Sequence, residues 1–194
     1  MKSVLAWHFL REDSRLRYGD GRIVKVGRRM CAPAGKLDVC RYGMHASENL
    51  LDALKYAPGP IVCRVELSGN IIKAGDKLVA RYRKVIAMAD ASKELRLFTC
   101  WVASRTLKQA GITDPRAWKA IQTSRRFAHG KATLSELSTT WDAARAATWT
   151  ATWTADLDDT WVRAWDAARA ATWTATKLQK ANLTKRINKL LELE

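Results

Sequence analysis

Histidine is scarce in this 194-residue chain, with three residues, and acidic side chains are few, 19 against 34 lysines and arginines. The four cysteines, Cys31, Cys40, Cys63 and Cys100, form no C-x-x-C pair. Their spacing with His45 matches no common zinc module, so no metal site is expected. No apolar run of the length of a leader follows Lys2, so no signal peptide is expected. The chain also lacks an apolar stretch long enough for a membrane-spanning helix, so no membrane partner is expected. Unpaired thiols without a leader fit a reduced, cytoplasmic protein.

What is present points to a folded, basic protein. Apolar residues make up 47% of the chain, enough for a core, and the net charge is +15 with a pI near 10.1. The charge is uneven. Residues 1–103 carry 19 basic and 10 acidic groups, residues 104–131 carry 7 and 1, and residues 132–194 carry 8 and 8. The excess therefore belongs to the first two thirds, and it favours nucleic acid or an acidic protein surface as partner.

The stretch from Tyr42 to Gly69 organises the rest. Gly43-Met44-His45-Ala46-Ser47 leads into a short helix, with Ser47 as the expected N-cap and Glu48 just inside it. Leu50, Leu51, Ala53, Leu54 and Ala57 form its apolar stripe, and Pro58-Gly59-Pro60 ends it. Ile61, Val62, Cys63, Val65 and Leu67 read as a strand closed by Gly69. His45 is thus held beside a helix N-terminus and between two strands.

Around this stretch, Val4 to Leu10 reads as a first strand containing His8. Leu16 to Arg22 holds a G-D-G hairpin turn, Ile23 to Val26 continues as strand, and Gly27 to Lys36 is a basic loop. Lys77 to Ala87 alternates, placing Arg81 and Arg83 on a basic face with Lys84 beside them. Five or six short strands and one helix are expected in the first 90 residues.

From Ser92 the period becomes helical. One helix ends at Gly111, and a second, capped by Thr113 or Asp114 with Pro115 in its first position, runs to Gly130. Trp118, Ile121 and Phe127 should face inward, and Arg116, Lys119, Arg125 and Arg126 outward as a phosphate-tracking edge. His129 reads as helix-end decoration. In the tail, the twelve residues from Trp141 to Thr152 recur from Trp165 to Thr176. Either two helices folded back near 154–159, clasped by Trp149, Trp153, Trp161 and Trp165, or one long helix fits this repeat. Packing on the first domain or self-association is its expected role.

Trp7-His8-Phe9, Leu16 to Arg22, Tyr42 to Ser47, Asp52 to Tyr56 and Cys63 to Gly69 together resemble an uncharacterised domain of tailed-phage and prophage proteins, over about residues 4–90. The resemblance implies origin, a host cytoplasmic setting, and a target in host machinery. A weaker resemblance is to ADP-ribosyltransferases. There Trp7-His8, Gly43 to Ser47 and Val62 to Gly69 match the histidine strand, the glycine-aromatic-alanine motif and the later strand. It implies an NAD cleft with His8, His45 and Tyr56 as catalytic candidates and Gly43 and Ser47 as cofactor-binding ones. The late glutamate of those enzymes is missing from Lys77 to Ala87. A phosphotransferase-like relative acting through arginines on a phosphate would not need it.

The sequence thus predicts an α+β protein. A mostly antiparallel β domain with one short helix spans 1–90, a basic helical pair 91–131, and a Trp/Ala-rich helical tail 132–194. Its expected role is a phage or prophage accessory factor that binds nucleic acid or a complex handling it, such as a host defence complex. The contacts expected for that role are Arg81, Arg83, Lys84, Arg116, Lys119, Arg125 and Arg126, with no cofactor. The alternative is a transferase using NAD or a ribose phosphate in the His8 and Gly43–Ser47 cleft.

Overall fold

The computed structural model describes residues 2–17, 20–39, 41–147 and 177–193. Tyr18, Gly19, Cys40 and the stretch 148–176 lie outside the described residues, and with them the second copy of the repeat, the 154–159 break and its four tryptophans. The chain divides into two compact units, residues 1–91 with 175–194, and residues 92–174.

The first unit is built on five antiparallel strands, β1 (Ser3–Leu10), β2 (Arg29–Cys31), β3 (Met44–Ala46), β4 (Ile61–Ala74) and β5 (Lys77–Asp90). The order is β1-β4-β5-β2, with β3 also on β5. Just past β3, Ser47 exchanges backbone hydrogen bonds of 3.0 and 2.8 Å with Trp7 of β1. The path β1–β4–β5–β3 is therefore tied back onto β1, and the sheet curls around its inner face. Cys63, Val65 and Leu67 of β4 are fully buried there with Ala6, Ala80 and Val85. A fully buried valine or leucine contributes about 1.5–3 kcal/mol.

The expected strand end at Gly69 is instead a bend within one 14-residue strand. Gly69 has φ +85° and lies at a register shift between Ser68 and Ile71. A glycine inside a strand marks such a bulge, where the extra residue needs a conformation other residues resist. The hairpin turn falls at Gly75-Asp76, with Ala74 opposite Lys77 and Gly75 at φ +58°. Glycine at the first of two loop positions suits a tight hairpin.

Two further expectations are corrected. Ile23 to Val26 makes one bridge, Ile23 to Arg15, before the chain turns at Gly27, φ +79°; the strand falls later, at Arg29–Cys31. The short helix α1 (Leu50–Lys55) starts after Asn49, not Ser47, because the Ser47 backbone is engaged by Trp7. α1 buries Leu50, Leu51, Ala53 and Leu54. In the same unit a C-terminal helix, Lys177–Leu190, packs on α1 and buries Leu183 and Ile187. So part of the expected tail belongs with the sheet.

The second unit contains α2 (Ser92–Gln109), α3 (Pro115–Ala128) and α4 (Leu134–Ala147); the C-terminal helix is α5. α2 ends as expected: Gly111 N donates to Lys108 O and Ile112 N to Leu107 O, the paired bonds of a glycine C-terminal cap. Asp114 caps α3 by accepting from Arg116 N at 2.8 Å. Thr133 and Glu136 form a reciprocal capping box on α4, which the sequence reading did not find. Ala117, Ala120, Ile121 and Ser124 are the buried stripe of α3, while Trp118 and Phe127 are half-buried.

Candidate functional site

A cleft of about 240 Å³ opens in the first unit. All five residues expected to carry chemistry or a cofactor line it: His8, Gly43, His45, Ser47 and Tyr56. They arrive from separate places. β1 presents His8, β3 presents His45, Gly43 and Ser47 flank β3, and Tyr56 follows α1. The Trp7–Ser47 backbone link holds the β1 and β3 walls together.

The sequence reading put Arg83 on a solvent-facing basic strand. It is 2% exposed and lines the cleft. Its cross-strand neighbours are Leu67 and Met30, both buried, so its β5 position faces inward. Arg83 Nη1 donates to the His45 carbonyl at 2.7 Å, and its Nε has no hydrogen-bond partner. Burial pushes the guanidinium down to about 10, still charged at neutral pH.

The same burial acts on the histidines. His8 is held well below the ordinary imidazole range by burial first, then by the charges of Arg83 and His45. His45 is lowered by burial, against backbone hydrogen bonds to Asp38, Val39 and Gly43 that favour its charged form. Two neutral imidazoles therefore stand beside one buried cation. Cys63, opposite His8 on β4, is pushed up to about 12 by burial and is an inert thiol.

Asp20 is the one carboxylate among the described residues lining the cleft, and the sequence reading missed it. Arg22 holds it at 2.6 Å, and that pair lowers its pKa. The two-residue spacing of Asp20 and Arg22 was the available signal. Arg17 and Lys77 also line the cleft unforeseen. Lys77 Nζ sits 4.2 Å from the Tyr56 ring centroid, and the Tyr56 hydroxyl donates to Asp76 at 2.9 Å. One Tyr56 face is thus covered by an ammonium, which restricts base stacking to the other.

The remaining expected contacts are mostly engaged elsewhere. Arg81 donates to the Pro33 and Gly35 carbonyls and holds that loop. Arg116 pairs with Asp114 at 2.7 Å, Arg126 with Glu136 at 3.5 Å, and Arg125 donates to Ser104 Oγ at 2.6 Å. Lys84 and Lys119 are exposed. β5 and α3 belong to different units. Among the described residues no cluster of His, Cys, Asp or Glu could hold a metal ion, and no helix is long and apolar enough to cross a membrane.

The first unit is thus an antiparallel α+β domain with a basic, histidine-lined cleft. Residues 4–96 match the family model described as Domain of unknown function (DUF7666). No curated protein and no solved structure matches the chain.

Proposed function

We propose that the sheet unit binds a ribose-phosphate ligand, of the NAD or nucleotide class, and acts on it as an ADP-ribosyl- or phosphoryl-transferase. The observation that carries this reading is the convergence of His8, His45 and Arg83 on one cleft. Neutral imidazoles can hydrogen-bond ribose hydroxyls and take a proton from an attacking group, and a buried guanidinium can hold a phosphate. The backbone link at Trp7–Ser47 fixes the spacing of the two histidine-bearing strands. Incubation with labelled NAD and host lysate should consume NAD or attach label to a target, and His8→Ala should abolish this. Intact NAD with the wild-type protein would remove the ADP-ribosyl form of the reading.

A second reading is favoured by a separate observation. Lys25, Arg28, Arg29 and Lys84 are all exposed where β2 meets β5, and none is in an ion pair among the described residues. Such a basic edge suits nucleic acid, or a complex that handles it, as the target of a phage-type accessory protein in the host cytoplasm. Affinity for a DNA or RNA duplex should then fall steeply between low and physiological salt.

A further inference from the structure

Two buried side-chain nitrogens of the cleft residues have no hydrogen-bond partner among the described residues. Arg83 Nε is a donor. His45 Nε2 also lacks a partner. Burial lowers the ring's pKa and keeps it neutral at neutral pH, and a neutral imidazole nitrogen without a partner can accept or donate one hydrogen bond. The Arg83 Nη1 bond to the His45 carbonyl ties the two residues together at 2.7 Å. Asp20, the cleft's carboxylate, is held by Arg22 and makes no hydrogen bond to Arg83 among the described residues.

Asp20 acts on Arg83 through its charge alone, and a buried guanidinium with no carboxylate hydrogen-bonded to it is costly unless an anion completes its hydrogen bonds. An imidazole nitrogen beside it suits a hydroxyl, which can donate or accept. We infer that Arg83 and His45 form one subsite for a phosphomonoester and the sugar hydroxyl next to it: Arg83 Nε–H donates to a phosphate oxygen, and His45 Nε2 hydrogen-bonds the hydroxyl. The pair reads the joint presence of the two groups, a feature of nucleoside monophosphates and sugar phosphates. This rests on the ribose-phosphate reading and narrows it to ligands carrying a phosphomonoester.

Isothermal titration of the full chain with adenosine 5′-monophosphate, adenosine and inorganic phosphate tests it. The monophosphate should bind about 10- to 100-fold more tightly than adenosine, the range for a charge-assisted hydrogen-bonded contact. Inorganic phosphate should compete with it. Arg83→Met should erase the difference by weakening the monophosphate alone, and His45→Phe should weaken monophosphate and adenosine together. If Arg83→Met does not fold, the wild-type comparison still decides. Equal wild-type affinity for the monophosphate and adenosine overturns the subsite while leaving a nucleoside cleft standing. Binding of none of the three overturns both the subsite and the ribose-phosphate reading.

Discussion

Gly43→Ala should destabilise the sheet unit by about 2–5 kcal/mol. Gly43 adopts φ +133°, and a Cβ there would lie 2.2 Å from Val79 Cγ2 and 3.0 Å from Leu37 Cδ2. Val79 is fully buried near the start of β5 and Leu37 is buried in the same cluster, so neither can retreat freely. Backbone strain at such a φ costs about 1–3 kcal/mol, and overpacking a closed core costs about as much again. The glycine expected from sequence to bind a cofactor thus also has a packing duty. Urea unfolding followed by circular dichroism should show a lower midpoint with an unchanged slope. A loss under about 1 kcal/mol would mean that the 43–46 segment is not seated against β5.

Stability should also fall as the pH drops below about 6.5. The folded pKa values of His8 and His45 both lie below the ordinary value. Well above 6.5, at about pH 8, neither state of the protein holds these protons. Between the unfolded value and the lower folded values, the unfolded chain binds protons that the folded chain refuses. Unfolding is then favoured by about 1.4 kcal/mol per pH unit for each histidine. Together they should remove up to about 2 kcal/mol between pH 6.5 and 5.5, His8 the larger share. The carboxylates with lowered pKa, Asp20, Asp76, Asp114 and Glu136, contribute their losses at lower pH, near and below about 4. Urea midpoints at pH 7.5, 6.5 and 5.5 measure the slope. His8→Gln should roughly halve it; a flat profile in the wild type would show that the imidazoles are not desolvated.

The parts of this fold legible in the sequence are those set by neighbours along the chain. The ends of α2 and α3 are written in Gly111, Asp114, Pro115 and Gly130, each acting within one turn. His45 and Gly43 could be placed near each other and near His8 because a short motif and a strand carry them. Features set by distant partners were not legible. Gly69 reads as a terminator until Arg81 and Tyr82 are seen across from it, close enough that a side chain would collide. Arg83 reads as a surface charge because its alternation matches Arg81, yet Leu67 and Met30 on two other strands enclose it. Ser47 is a good cap by type, but Trp7, forty residues earlier, claims its backbone.

A ribose-phosphate ligand held at His8, His45 and Arg83 should be visible at those side chains. Nitrogen-15 spectra of the histidine, arginine and lysine side chains, recorded while adenosine 5′-monophosphate is added to the full chain, report it. Saturable shifts of the His8 and His45 ring nitrogens and of the Arg83 Nε are expected, with His129, Lys84 and Arg29 unmoved. Shifts confined to the exposed Lys25–Arg29 and Lys84 edge, or no shift at the two cleft histidines at saturating monophosphate, would contradict ligand binding in the cleft.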